Sequence, residues 1–211
     1  MYSFVKKSDL KMPRRLCLSV LGAAQERLRG ESGIHCELMP VGSAYHNLVT
    51  RNGDEPFDLD YNFLFRYDEV NAEKLKGILM RVLDDEAIQR GFSHGQDSTS
   101  AIKYDHRTRA SIDFSLDVGI IIDRDGTGYR LIHDKALNRF LLNETVRFAK
   151  LKSQQEAIKA NGLGTALREV YLDMKNAYLR QGDRDHPSFV VYVEAVNRVW
   201  QSIPEEARSD V

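Results

Sequence analysis

The segment Phe57–Phe63, FDLDYNF, alternates apolar and polar residues and places an aspartate at two of the polar positions. Because successive side chains of a strand point to opposite faces, this alternation predicts a β-strand with one apolar and one acidic face. Aspartate is a poor strand former, since its short side chain competes for backbone hydrogen bonds. Asp58 and Asp60 would lie about 7 Å apart along such a strand, at ~3.3 Å per residue. That separation suits two carboxylates that share one or two divalent cations.

A second stretch, residues 110–118 with the sequence ASIDFSLDV, repeats the pattern. Its polar face would carry Asp113, Ser115 and Asp117. If the two strands are neighbours, three carboxylates converge on one metal site. Clustered carboxylates repel each other when no cation is bound, so their cost in stability points to a function. The alternative interpretation of the same pattern is a strand face that is simply solvated.

The periodicity along the whole chain predicts the order helix, strand, strand, helix, three strands and then helices. The predicted helices cover residues 8–30, 71–92, about 135–160, 164–181 and 186–202. Strands followed by helices indicate an α+β fold, with a mixed, mainly antiparallel sheet and a C-terminal helical region. We therefore expect a catalytic core over residues 1–132 and a helical region over residues 133–211 that packs on this core.

Composition excludes several classes of protein. The 211 residues carry a formal net charge of -1, which argues against bulk nucleic-acid binding, although a local basic groove stays possible. Cys17 and Cys36 form neither a metal-binding spacing nor a disulfide framework. The N-terminus does not have the pattern of a signal peptide, and no run reaches the ~18 apolar residues of a membrane span. We expect a cytoplasmic protein with no membrane partner.

Three separated motifs together resemble the nucleotidyltransferase superfamily typified by DNA polymerase beta. They are Val41-Gly42-Ser43, Phe57-Asp58-Leu59-Asp60-Tyr61 and Ile112-Asp113-Phe114. The string ASIDFSL resembles the strand of the third acid in the cyclic GMP-AMP synthase and oligoadenylate synthase branch. The resemblance covers about residues 10–132.

The resemblance implies a Mg²⁺-dependent or Mn²⁺-dependent transfer of a nucleoside monophosphate from a nucleoside triphosphate to an acceptor hydroxyl, with release of pyrophosphate. It implies that Asp58 and Asp60 bridge two metal ions. Asp113 would bind the metal on the nucleophile side and help to deprotonate the acceptor. Gly42 and Ser43 would hold the β- and γ-phosphates of the nucleotide.

Two further positions are candidates. Asp117 lies on the same predicted acid face as Asp113 and is the alternative third acid; the local string favours Asp113. Lys175 lies on a predicted helix with Arg168 and Tyr178, and a shared face could bring the lysine to a phosphate and the tyrosine to a base. The alternative interpretation of that face is ordinary solvated helix surface.

The sequence leaves the acceptor open between a protein, a nucleic acid, a small molecule and a second nucleotide. The resemblance implies a larger helical domain in members of the cyclic-dinucleotide branch, and the room for three helices here favours a minimal transferase or an incomplete relative over a cyclising enzyme. A catalytically silent nucleotide-binding or protein-interaction module on the same fold is the alternative function. A metal-dependent sugar transferase is disfavoured, because only about fifty residues precede Asp58 and such folds place a longer parallel domain there.

Overall fold

A computed structural model describes residues 1–67, 71–108, 111–145, 148, 150–183 and 187–208 of the chain. The helices are α1 Lys7–Ser32, α2 Gly42–Tyr45, α3 Ala72–Ile88, α4 Leu151–Ala160, α5 Gly164–Arg180, α6 Ser188–Gln201 and α7 Glu205–Arg208. The strands are β1 Tyr2–Phe4, β2 Cys36–Pro40, β3 Thr50–Asn52, β4 Phe57–Arg66, β5 Gln96–Asp97, β6 Ile102–Thr108, β7 Ser111–Arg124, β8 Thr127–Asp134 and β9 Arg139–Glu144. Residues 146, 147, 149 and 186 of the predicted C-terminal helices lie outside the described part.

The chain divides into two compact units, and the larger one comprises residues 5–49 and 55–145. Its sheet has the strand order β2-β4-β7-β6-β5, and a hairpin of β8 and β9 continues from β7. Only the central pair, β4 with β7, is parallel; the other pairs of this sheet are antiparallel. The prediction of a mixed, mainly antiparallel sheet is confirmed.

Helices α1 and α3 pack together in this unit, and their apolar faces belong to the same core as β4. The buried positions of α1 recur every three or four residues, which is the period of one helix face. They are Leu10, Pro13, Cys17, Val20, Leu21, Ala24 and Leu28. On β4 the alternation works as predicted, because Leu59, Phe63 and Phe65 are fully buried. This burial offsets the poor strand propensity of the two aspartates on the opposite face.

The smaller unit comprises Met1–Phe4, Thr50–Asp54 and the chain from residue 146 onward. Strands β1 and β3 pair antiparallel in it, and the Asn176 side chain of α5 hydrogen-bonds both the N–H and the carbonyl of Tyr2. Tyr171, Tyr192 and Val196 are buried on α5 and α6. Within the described residues, no helix has both the length and the apolar character that crossing a membrane requires.

The prediction of a helix from about residue 135 is wrong for its first third. The chain turns after β8, where Asn138 adopts a left-handed φ of 46° and Asp134 accepts a hydrogen bond from the Leu137 N–H. Strand β9 then pairs with β8, and Phe140 and Leu142 pack against the core. Leucine-rich sequence without proline or glycine resembles a helix locally, and pairing with β8 overrides that preference.

The larger unit continues to residue 145. The assignment of a catalytic core to residues 1–132 and of a helical region to residues 133–211 stays a prediction.

Candidate active site

The two acid-bearing strands are neighbours, as the candidate site requires. In the parallel pair of β4 and β7, Asp58 lies opposite Ser115 and Asp60 lies opposite Asp117. Neighbouring strands are ~4.8 Å apart, and paired residues point to the same face of a sheet. The register therefore places Asp58, Asp60 and Asp117 on one small area of the polar face, with Asp117 beside one aspartate and diagonal to the other.

Asp113 occupies a different position. The pairing of β6 with β7 steps from His106–Phe114 to Arg107–Ile112, so Asp113 is the extra residue of a β-bulge. A bulge breaks the alternation of a strand and re-aims a side chain. The Asp113 carboxylate accepts a short hydrogen bond from the Thr108 hydroxyl and lies 3.5 Å from His106 Nδ1. The prediction that Asp113 is the third acid stays a prediction.

The surroundings of Asp117 shift the pKa of its carboxyl group strongly. Burial, followed by the nearby Asp58 carboxylate, raises the pKa of Asp117 to about 7, while the Lys103 ammonium opposes this shift. Within the described part of the chain, no donor reaches its buried Oδ1 atom. An unsatisfied carboxylate oxygen among other carboxylates costs stability, and a bound cation would relieve that cost.

Strand β6 adds two charged residues that the sequence did not single out. Lys103 is paired with Asp117 across the sheet, and its Nζ lies 3.2 Å from Asp58 Oδ1. Asp105 is buried and accepts a hydrogen bond of 3.0 Å from the Ser115 hydroxyl. The alternation in IKYDHRT puts Lys103 and Asp105 on one face, so their direction could have been inferred. Their place beside Asp117 depends on sheet pairing, which the sequence does not show.

Gly42 lies against the acid cluster. Its φ is 63°, and a Cβ at this position would collide with Asp60 Oδ2 and lie 2.9 Å from Asp60 Cγ. The preceding N–H, of Val41, donates to the Asp60 carbonyl at 3.0 Å. Only glycine allows this left-handed backbone so close to the carboxylate. Ser43 follows on α2, where its carbonyl accepts from the Leu48 N–H.

A second glycine, Gly119, comes similarly close to the side chain of Asn62, two residues after Asp60 on β4. A Cβ at Gly119 would collide with Asn62 Oδ1 and lie 2.7 Å from Arg130 Nη1. The missing side chain leaves space above β7 for Arg130, whose pKa is lowered by burial and raised in part by Asp60. A cation thus lies at the Asn62 end of the acid face.

Lys175 and its neighbours on α5 lie in the smaller unit. The Lys175 ammonium donates to the hydroxyls of Thr50 and Ser188, at 3.1 Å each, and lies 4.3 Å from the centre of the Tyr2 ring. Arg168 stacks on Phe4. These contacts differ from a freely solvated helix face. The prediction that Lys175 binds the nucleotide stays a prediction.

The donor set suits a hard divalent cation in its chemistry, because Mg²⁺ and Mn²⁺ prefer carboxylate oxygens. In their present positions, however, the described His, Cys, Asp and Glu side chains form no group of three that is close enough to hold a metal ion. The cluster instead contains the Lys103 ammonium. The buried, unsatisfied oxygen of Asp117 is the observation that fits a cation.

The chain resembles known proteins in its fold. No family model and no curated protein matches the chain. Solved structures do match over almost the whole chain. CdnC of E. coli MS115-1, in its complex with HORMA-deltaN, superposes with a TM-score of 0.63 at 15% identity, over 95% of this chain and 61% of that one. The chain has a nucleotidyltransferase fold.

Two further structures carry the same nucleotidyltransferase fold. Vibrio cholerae DncV, a cyclic AMP-GMP synthase in complex with nonhydrolyzable GTP, gives a TM-score of 0.63 at 12% identity, over 96% of this chain and 69% of that one. Escherichia coli DncV, bound to 3'-deoxy GTP, gives 0.61 at 12% identity, with 97% and 71% covered. The chain spans about six tenths of the length of CdnC. The α+β fold predicted from the order of strands and helices is confirmed, and so is the fold implied by the resemblance.

Proposed function

We propose that this chain is a divalent-metal-dependent nucleotidyltransferase, which moves a nucleoside monophosphate from a nucleoside triphosphate to an acceptor hydroxyl and releases pyrophosphate. The observation that carries the proposal is the register of β4 and β7, which groups Asp58, Asp60 and Asp117 on one face. The similarity of fold to GTP-bound DncV supports a nucleoside triphosphate as the donor.

The proposed metal ligands are Asp58, Asp60 and Asp117. Asp117 replaces Asp113 as the third acid, because it lies directly opposite Asp60 while the bulge directs Asp113 to Thr108. A bound Mg²⁺ or Mn²⁺ would neutralise charge on the triphosphate and lower the pKa of the acceptor hydroxyl. Asp117, on the β6 side of the cluster, is placed to accept the proton of that hydroxyl.

The chain's own contribution besides the acids is to hold the triphosphate beside them. Gly42 approaches Asp60 so closely that a phosphate group bound by the adjacent backbone would lie near the carboxylates. Ser43 would add a hydroxyl donor to the same β- and γ-phosphates. Both roles follow the resemblance of Val41-Gly42-Ser43 and are proposals, as is a cytoplasmic location.

The acceptor is the open part of the proposal. A protein, a nucleic acid, a small molecule and a second nucleotide remain the candidates. Because DncV is a cyclic AMP-GMP synthase, a second nucleotide is the first acceptor to test.

The test is incubation of the purified chain with each α-labelled nucleoside triphosphate and Mg²⁺ or Mn²⁺, with pyrophosphate release and labelled product as readouts. A phosphatase-resistant small product would indicate transfer to a second nucleotide, and labelled protein would indicate self-modification. Asp58→Asn is expected to abolish pyrophosphate release without loss of the fold. Full activity of this variant would overturn the metal assignment, and triphosphate binding without pyrophosphate release under every acceptor would support the silent module.

A further inference from the structure

The ammonium of Lys103 lies within the acid cluster. Its Nζ is 3.2 Å from Asp58 Oδ1, and its backbone is paired with Asp117. Asp105 is two residues further on β6 and points to the same face. One lysine thus faces three carboxylates on three adjacent strands.

Lys103 lies on β6 beside Asp117 of β7, and its side chain extends past Asp117 to Asp58 of β4. It is partly exposed, with 37% of its side chain accessible, so it can move without unpacking the core. Partly exposed ion pairs are weak, on the order of 1 kcal/mol or less, and a divalent cation competes with them readily. Two of the carboxylates with which this lysine interacts, those of Asp58 and Asp117, are proposed metal ligands.

We propose that Lys103 is an internal counter-ion of the metal-free site, which stabilises the acid cluster and is displaced from Asp58 when a divalent cation binds. The inference rests on the proposed metal site. It makes Lys103 a residue that sets metal affinity, because each binding event breaks one ion pair.

The test compares the wild-type chain with Lys103→Met, which keeps the length of the side chain and removes its charge. MnCl₂ is titrated by isothermal calorimetry into EDTA-treated, desalted protein, and melting temperature is measured with and without Mn²⁺. We expect Lys103→Met to melt lower than wild type without metal, and to bind Mn²⁺ about fivefold more tightly, the fold-change of one partly exposed ion pair. Its gain in melting temperature from Mn²⁺ should be the larger of the two.

Arg107→Met is the matched control. Arg107 is on the same strand, is more exposed, and lies 4.0 Å from Asp105. The Arg107→Met substitution removes one positive charge near the cluster and leaves the Lys103–Asp58 ion pair in place. The Mn²⁺ affinity of this variant should therefore change less than twofold. An equal gain in both variants would mean that general electrostatics, and not displacement, sets the affinity.

The outcomes separate this inference from the proposed function. If wild type and Lys103→Met both fail to bind Mn²⁺, the metal site itself is wrong. If wild type binds Mn²⁺ and Lys103→Met binds it equally or more weakly, the metal site stands and the displacement of Lys103 is refuted.

Discussion

Asp60 and Asp117 lie directly opposite each other in the one parallel strand pair of the sheet. This relationship is the basis for proposing Asp117 as the aspartate of β7 that acts together with the two of β4. Two positions earlier in the ladder, Asp58 lies opposite Ser115, whose hydroxyl is bound to Asp105. The acid face is thus continuous from β4 to β6, and Asp113 lies beyond its end in the bulge.

The first prediction concerns the third acid. Asp117→Asn should reduce pyrophosphate release by at least about a hundredfold, because it removes a proposed metal ligand and proton acceptor. Asp113→Asn is the matched variant, with the same chemical change four residues away on the same strand. It should keep activity within about threefold of wild type. The reverse result would restore Asp113 as the third acid.

A second prediction concerns stability without metal. The pKa of Asp117 is raised from 3.8 to about 7, so the folded state favours the protonated form. The stability that this group contributes is present below about pH 4 and is lost as pH rises through about 7. If ionised Asp117 costs about 1–2 kcal/mol at pH 8, Asp117→Asn in EDTA should melt above wild type by about 2–8 °C, since one kcal/mol shifts Tm by about 2–4 °C at this chain length.

That gain should shrink as the pH is lowered toward 4, which differential scanning fluorimetry across the pH range can follow. Asp113→Asn controls for the loss of one acid, and it should not melt above wild type because a neutral amide oxygen replaces the charged acceptor of the Thr108 hydroxyl. A gain for Asp117→Asn that is constant from pH 4 to pH 8 would contradict the assigned environment of this carboxylate.

A third prediction separates backbone strain from loss of the site at Gly42. Gly33 has the same φ of 63°, but a Cβ at Gly33 meets nothing within 4 Å. Both Gly→Ala variants should lose about 1–2 kcal/mol of stability from the left-handed backbone. Gly42→Ala should in addition push the Asp60 carboxylate aside and lower pyrophosphate release more than tenfold.

Chemical denaturation measures the loss of stability that both variants share. Titration with Mn²⁺ measures the loss of metal binding that is expected only for Gly42→Ala. Equal Mn²⁺ binding in Gly33→Ala and Gly42→Ala would show that the close approach to Asp60 does not matter for the metal.

A fourth prediction concerns the thiols. Burial raises the pKa of Cys17 to about 12 and that of Cys36 to about 11. Because the thiolate is the reactive form, its fraction at pH 8 should be about 1 in 1,000 or less. Iodoacetamide at pH 8 should label the native chain slowly and the urea-unfolded chain quickly, with faster native labelling as pH rises. Rapid labelling of native protein, assigned to one thiol with Cys36→Ser, would show that the core is more open than described.

Much of the fold could be predicted from periodicity. Apolar positions that recur at the helical period predict the helices around Cys17 and Leu79. Apolar positions that recur at the strand period predict the strand around Leu59 and Phe63. Strand β9 could not be predicted, because its segment RFLLNE has no local signal that separates a strand from a helix. Its pairing with β8 decided the outcome.

The candidate site divides in the same way. The side-chain directions of Asp58 and Asp60 follow from alternation. The resemblance of its motif predicted that Gly42 holds phosphates, and its close approach to Asp60 came from the structure. Lys103 and Asp105 were missed, because a lysine and an aspartate on a short strand have no distinctive pattern by themselves.

The sequence by itself determined which strands carry acids on one face, since the two-residue period of a strand is a local property of the chain. Tertiary structure decided which of those acids meet. The register of β4 against β7 arises from pairing between segments more than fifty residues apart, whereas the bulge at Asp113 arises from the pairing of β7 with the preceding strand β6. One step in that register would turn a strand's side chains to the other face, and local alternation contains no information about it.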